Sequence, residues 1–419
     1  MSIFESPREV QLAILERLPL CDLIALSMTN KDARHKAEPL IYSDITLTWK
    51  LKDLPPAMLL LRTFLDRPEL ACYVLRLDLD GEGFRIRPPY LYNTQKPIAL
   101  PNIVTLSTEK LSQIAKYTTN SPEIINSWIH EAQSGSSDAV AGFLISLMPN
   151  LAWLSFSEDW TNEVKYIGLV FGSATYRTFE DSFQPRLPTY ESLKHIKLPL
   201  FIDEEYYLDP PNTLDALSLF YVPNIEHVSV PISNPVEFFW PSSTPPNPLF
   251  LSSLDLGRIR EVRLEALLSV LKNLQKLRYN WYYQENLDRK VSDHVVRVTR
   301  LHVPWLFVMG MTKSSPGRIG PILPPNVEDL ALTGHLCITE AHEWDDEMVV
   351  SAIKSELESG ALASAENLKK MTVLGSCYHD GTTKECQKDL KDLGIRFNVE
   401  LVMPGRHQRK LSTESEVSL

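Results

Sequence analysis

The sequence predicts an α/β protein: a small N-terminal unit of three helices, then a repetitive body with a curved parallel sheet and outer helices. Three observations predict it. The first fifty residues carry three helix signals in close succession. A strand pattern of the form apolar-x-x-apolar-x-apolar then recurs nine times. Several segments between its copies have helical periodicity. At 419 residues the chain exceeds one ordinary core, so two units or one elongated unit are expected.

The first helix has a strong start signal. Ser6 is a natural N-cap, Pro7 suits the first helical position, and Glu9 completes a capping box. Val10, Ala13, Ile14 and Leu18 then form one apolar stripe at helical spacing. Pro19 stops the helix, because a residue before proline is pushed out of the α region. A second helix is expected from Asp22, with Leu23, Leu26 and Met28 inward. Thr29 or Asn30 caps a third, expected to end before Pro39. Units this small usually need a partner to be stable, so the stripe is expected to pack on something else.

These residues resemble an F-box, in the version common at the N-terminus of fungal proteins. The matching features are Pro7, Glu9-Val10, Ile14, Leu18-Pro19-Leu20, Asp22-Leu23, Leu26-Ser27, Thr29-Asn30-Lys31, Ala37-Glu38-Pro39-Leu40 and Tyr42. Ser6 stands where a leucine is usual, with Phe4 near enough to supply that contact. The late tryptophan is missing, with Tyr42 in its stead. The resemblance covers about a tenth of the chain. It implies docking on a Skp-family adaptor and, through it, on a cullin ligase of SCF type. Its adaptor-binding residues would be Pro7, Val10, Ile14, Leu18, Pro19, Leu20, Leu23 and Leu26. It also implies a non-catalytic subunit, whose remaining chain holds a protein substrate.

After the helices, Ile45, Leu47 and Trp49 alternate with polar residues as a half-buried strand. The recurring motif follows at Cys72-Leu75-Leu77, Leu151-Leu154-Phe156, Leu193-Ile196-Leu198 and Ile225-Val228-Val230. It returns at Leu251-Leu254-Leu256, Leu274-Leu277-Tyr279, Val298-Leu301-Val303, Val327-Leu330-Leu332 and Leu368-Met371-Val373. Turns such as Pro149-Asn150, Pro223-Asn224 and Pro325-Asn326 introduce several copies. From residue 225 to residue 327 the intervals are 26, 23, 24 and 29. Those fall in the range of leucine-rich repeats, roughly 20–29 residues. Helical periodicity fills the gaps at Asp138–Met148, Glu261–Lys272 and Met348–Leu362. Elsewhere the intervals stretch to 32, 41, 42 and 79, so insertions are expected. The body resembles a degenerate leucine-rich-repeat solenoid, although such strands also arise in any α/β chain.

Three insertions stand out. Residues 80–136 include a helix announced by Ser121-Pro122-Glu123, carrying Ile124, Ile125, Trp128 and Ile129. Residues 157–189 hold Trp160, Tyr166, Phe171, Tyr176, Phe179 and Phe183. Residues 231–248 carry six prolines around Phe238-Phe239-Trp240. Such stretches either fold back on the core or bind a partner. Residues 404–419 are polar and unpatterned, as in a disordered tail. The expected division is therefore an F-box over 1–48, a repeat domain over 49–403, and the tail.

The net charge of −11 argues against nucleic acid or an anionic membrane as main partner. Five scattered cysteines suit a reducing compartment. The longest apolar run, Val303 to Met311, is too short to span a bilayer, and no leader is evident. A cytoplasmic or nuclear protein is expected. No phosphate-cradling glycine loop or nucleophile elbow occurs. Cys377, His379, Asp380 and Cys386, with His335, Cys337 and His342, lack zinc-site spacing. The acidic clusters Asp203-Glu204-Glu205 and Asp345-Asp346-Glu347 read as loop or helix-start charge. No cofactor is expected.

In each strand the residue between the last two apolar positions, and the one after them, point outward. Those positions include Ser155, Ser157, Lys197, Ser229, Asp255, Arg278, Asn280, His302, Ala331 and Thr333. Lys197, Asp255, Arg278, Asn280, Trp281, Tyr282 and His302 are the candidate substrate-binding residues, because Arg, Trp and Tyr dominate interface energies. Two rivals stay open: an F-box protein acting in assembly outside ubiquitination, and an enzyme with an unrecognised site.

Overall fold

A computed structural model describes residues 7–50, 55–82, 104–157, 160, 164–176, 187–200, 215–232, 237–257, 261–280, 297–309, 318–320, 323–333, 344–360, 362, 365–373 and 384–403. The chain opens with helices α1 (Arg8–Leu15), α2 (Leu20–Ser27) and α3 (Lys31–Ile41). Pro7 is the N-cap of α1 and not its first residue, since its ψ of 149° is extended while its ring holds φ at −54°. Ser6, the expected cap, lies outside the described residues. The second helix starts at Leu20, two residues earlier than expected, with Pro19 as its extended N-cap. Asn30 caps α3 by accepting a hydrogen bond from the Ala33 N–H. That helix runs through Pro39, where it was expected to stop. The proline falls in the last turn, so few intrahelical bonds remain to be lost.

The inward face of α1 also differs from expectation. Gln11 and Leu15 are buried, whereas Val10 and Ile14 are exposed. Residues 11, 15 and 18 satisfy helical spacing as well as 10, 14 and 18 do, so both stripes were available. Leu15, Leu23 and Ala37 form the core of this unit, with Leu18, Leu26, Leu40 and Ile41 against it. Met28, expected inside, is 69% exposed.

By its internal contacts the chain falls into two compact units. One comprises Met1–Ile225 and Phe239–Pro248, the other Glu226–Phe238 and Leu249–Leu419. The first holds strands β1 (Asp44–Lys50), β2 (Arg76–Glu82), β3 (Trp153–Phe156) and β4 (His195–Lys197). The second holds β5 (His227–Pro231), β6 (Ser253–Gly257), β7 (Lys276–Asn280), β8 (Arg300–Pro304), β9 (Asp329–Thr333), β10 (Lys370–Val373) and β11 (Glu400–Val402). Within each unit every strand pairs in parallel with its successor in sequence. The strand expected around Ile45, Leu47 and Trp49 is β1, which pairs with β2 from Asp44 onward.

One apolar row crosses all seven strands of the second unit: Val228, Leu254, Leu277, Leu301, Leu330, Met371 and Leu401. None is more than 8% exposed, and each such side chain contributes about 1.5–3 kcal/mol by burial. Eight of the nine expected motif copies lie on strands in the expected register. The first does not. Cys72 and Leu75 are exposed, while Val74, Leu77 and Leu79 are buried. The copy is shifted by two residues, because both triplets fit the permissive pattern.

The repeat extends to hydrogen bonds that no sequence pattern displays. Asn150, Asn224, Asn273 and Asn367 each stand just before the first apolar position of a copy. Their side-chain amides donate to the carbonyls of Cys72, Glu191, Leu249 and Pro325, at 2.7, 2.8, 2.7 and 3.4 Å. Each acceptor lies two residues before the first apolar position of the preceding copy. For Cys72 this holds only if that position is Val74, so the ladder independently supports the shifted register.

The first unit's further helices are α4 (Pro56–Asp66), α5 (Pro68–Ala71), α6 (Thr108–Ala115), α7 (Pro122–Gln133), α8 (Ser137–Ser146) and α9 (Lys165–Thr175). Of these α4 packs on β1 and on α8, while α6, α7 and α9 each pack on α8. Ser121 caps α7 as expected, and Trp128 is fully buried, but Ile124 is 37% exposed. The aromatic stretch expected as an insertion contains α9, and Trp160, Tyr166 and Phe171 are core residues. Phe179 and Phe183 lie outside the described residues. Helix α9 lacks a capping side chain of its own. Asp138, 1% exposed on α8, supplies one by accepting from the Tyr166 and Ile167 N–H groups at 2.9 and 3.4 Å.

The second unit inserts helices α10 (Glu261–Leu268), α11 (Trp305–Met309), α12 (Asp346–Glu358) and α13 (Lys384–Phe397) between its strands. Asp345 caps α12 through the Met348 N–H, so its acidic cluster is helix-start charge as expected. Buried Glu356 accepts from Arg318 Nε and from the Ile319 and Gly320 N–H groups. That carboxylate clasps residues 318–320 to α12.

Candidate functional site

The first candidate site is the surface of the N-terminal helices. Val10 and Ile14 of α1 are 46% and 37% exposed. Leu20 and Ile24 of α2 and Met28 at its C-cap are 53%, 42% and 69% exposed, spaced i, i+4, i+8. Pro7 and Pro19 are exposed, and Leu18 and Leu26 are half-buried. Leu23 is the exception among the expected adaptor-binding residues. It is 6% exposed, inside the helices' own core, so its part is to hold α2 in place. Leu12, Ile24 and Met28 are further exposed apolar residues outside the expected set. The Leu20-Ile24-Met28 spacing was the available signal, and the inward assignment of Met28 hid it.

These helices are tied to the body by a clasp. Arg67, between α4 and α5, donates from Nη1 and Nη2 to the two Glu38 carboxylate oxygens at 2.7 and 2.9 Å. Its Nε donates to Glu69 at 2.9 Å. The hydrogen bond from Arg67 holds the Glu38 carboxyl below its ordinary pKa, outweighing the opposing effect of burial. Beside the clasp, the Tyr42 and Phe64 rings lie 6.0 Å apart.

The second candidate site is the sheet face opposite the apolar row. In the first unit, Arg76, Trp153 and His195 are register neighbours on three strands. The His195 ring stacks on Trp153 at 3.4 Å and 3°, and the Arg76 guanidinium lies 4.4 Å over the indole. Asp78 accepts from Trp153 Nε1 at 3.0 Å and from Arg76 Nε at 2.6 Å. Lys197, at the register of Ser155 and Asp78, is half-buried on this face.

In the second unit, Ser229, Asp255, Arg278, His302 and Ala331 share one register row. The structure thus aligns three expected substrate-binding residues, Asp255, Arg278 and His302, and all three are half-buried. The row is not uniformly open as expected. Ser229 is 1%, Ala331 6% and, farther along β9, Thr333 3% exposed. Asn280 continues β7, level with Gly257. Trp281 and Tyr282 lie outside the described residues.

One polar cluster bears on the enzyme alternative. Tyr166 donates to Glu131 at 2.7 Å, and both Lys165 and Ser127 reach the same carboxylate oxygen. Burial pushes the Tyr166 hydroxyl up to about 12, so it stays protonated and acts as a donor. The cluster locks α7 to α9. Among the described residues, no three His, Cys, Asp or Glu could hold a metal ion. Buried Cys386 is described, whereas His335, Cys337, His342, Cys377, His379, Asp380 and the acidic run 203–205 are not. Among the described residues, no helix is long and apolar enough to cross a membrane.

Comparison with curated proteins finds no match to the chain. The F-box domain model matches residues 7–38, the span of the first two helices and most of the third. Helices α1–α3 are therefore an F-box domain, the module through which proteins of this kind generally serve as SCF-type adaptors.

Proposed function

We propose that the chain is the substrate-recognition adaptor of an SCF-type ubiquitin ligase. Its F-box docks a Skp-family adaptor and, through it, a cullin ligase, while the body captures a target protein. One observation carries the docking half. The F-box fills its core with Leu15, Leu23 and Ala37, yet keeps Val10, Ile14, Leu20, Ile24 and Met28 in solvent. An apolar set left outside a completed core suits helix-mediated docking. We read the body as a degenerate leucine-rich-repeat solenoid, supported by the consecutive parallel strands and the asparagine ladder. The target would be met by the candidate substrate-binding residues, Lys197 in the first unit and Asp255, Arg278, Asn280, Trp281, Tyr282 and His302 in the second.

The test is affinity purification with mass spectrometry of the full chain against Leu20→Asp. A point variant is required because truncation at residue 51 would remove β1 from the sheet. Recovery of both adaptor and cullin with the parent, and of neither with the variant, supports the reading. Recovery of the adaptor without cullin would move the protein outside ubiquitination.

A further inference from the structure

Residues 239–248 of the first unit form a strap that is neither helix nor strand, and Pro241, Pro245, Pro246 and Pro248 supply four of its ten residues. Proline has no N–H, so four of the ten residues cannot donate and the strap's carbonyls need outside donors. The strap lies on an aromatic platform that provides one. Tyr221 donates its hydroxyl to the Thr244 carbonyl at 2.8 Å. The Trp240 ring meets Phe220 and Tyr221 edge-on at 6.0 and 6.3 Å. Pro246 and Pro248 are buried.

The platform extends past the strap. Tyr176 lies 4.6 Å from Tyr221, ring to ring, and its hydroxyl shares a hydrogen bond with Ser218 at 2.8 Å. Gly172 makes room for it, since a Cβ there would stand 2.7 Å from the Tyr176 hydroxyl oxygen. Between these groups a recess of ≈ 220 Å³ remains, walled by Tyr176, Phe220, Tyr221, Pro223, Pro245 and Pro246. It is smaller than drug-sized ligand sites, which begin near roughly 300 Å³. None of its lining residues is Asp, Glu, Lys, Arg or His. It therefore suits a neutral, ring-sized apolar group on a backbone rich in acceptors.

We propose that this recess docks a proline-rich, extended segment of a partner protein, seated beside the chain's own strap. The occupant follows from what the platform already holds: a proline-rich strap whose Thr244 carbonyl takes the Tyr221 hydroxyl and whose Trp240 ring meets Phe220 and Tyr221 edge-on. Aromatic-lined grooves read such peptides in this way. The site is separate from the F-box surface and from the strand row, and does not depend on the adaptor function.

The test is calorimetric titration of the full chain with a decaproline peptide, against a length-matched Gly-Ser peptide. Saturable binding of decaproline alone is expected. Tyr176→Ala should weaken it at least about tenfold, the loss typical of an aromatic contact at an interface centre. Gly172→Ala, which displaces Tyr176 without replacing any lining residue, should also weaken it. Asn247→Trp blocks the recess from an exposed position and tests the site even if Tyr176→Ala lowers the unfolding temperature. Absence of saturable binding at millimolar peptide, equal binding of the Gly-Ser peptide, or full affinity in Asn247→Trp would overturn the proposal.

Discussion

The docking surface yields the sharpest prediction, because the structure separates residues that fold the F-box from residues it displays. Leu20 is 53% exposed, whereas Leu23, three residues on, is 6% exposed. Complete burial of a leucine contributes about 1.5–3 kcal/mol, and docking covers only the half still in water. Leu20→Ala should then cost about 1 kcal/mol of adaptor affinity, roughly fivefold. Leu20→Asp adds the penalty of an unpaired carboxylate in a desolvated interface, about 2–5 kcal/mol. The combined loss should exceed about 100-fold. Stability should change by no more than about 0.5 kcal/mol, as for ordinary surface substitutions. Leu23→Asp should instead unfold the helices, since its charge would enter their core. The assay is calorimetric titration with a purified Skp-family adaptor, paired with thermal unfolding of each variant. A Leu20→Asp chain that stays folded and binds within threefold of the parent would refute the assigned surface.

Other predictions concern the body. Arg67→Ala should lower stability by about 1 kcal/mol, a modest figure because the arginine side chain is 42% exposed. The Glu38 pKa is depressed in the folded chain, so the clasp stabilises fully at neutral pH and fades as pH falls through the carboxylate range toward that lowered value. Glu38→Gln should flatten this acid-side loss in a pH series of urea melts. Asn150→Ala, Asn224→Ala and Asn273→Ala should each cost about 0.5–1.5 kcal/mol in urea denaturation, and unequal or null effects would undo the ladder as a repeated device. Gly168→Ala should cost more than about 2 kcal/mol by thermal unfolding, because its Cβ would lie 2.5–2.6 Å from Asp215 and its backbone.

What the sequence made legible depended on the range of the forces involved. Leu251-Leu254-Leu256 reads as a buried strand because alternation and the preceding turn are local features. Val74-Leu77-Leu79 competed with Cys72-Leu75-Leu77, and only strand pairing across the sheet decides between them. The asparagine ladder was illegible because Asn150 finds its acceptor 78 residues away. The capping of α9 by Asp138 was hidden in the same way. The candidate sites divide similarly. The Leu20-Ile24-Met28 stripe was present as spacing, whereas burial of Ser229 and Thr333 depends on what covers the strand face. Alternation assigns a side chain to a face without saying whether that face is open.

The junction after the F-box bears on how an adaptor would present its cargo. A hinge requires residues free of tertiary bonds, and only Tyr42 and Ser43 separate α3 from β1. Neither is free. The Ser43 carbonyl accepts from the Leu75 and Arg76 N–H groups at 2.9 and 3.0 Å, and the Tyr42 ring packs on Phe64. Four residues before Tyr42, Glu38 is held by the two-pronged Arg67 contact. Swinging the F-box would break the Glu38–Arg67 contact and the Tyr42–Phe64 packing together. These contacts oppose that motion and tie the F-box to the strands of the first unit. Under the proposed function, a target held on these strands would meet the ligase in an orientation set by the fold and not by a tether.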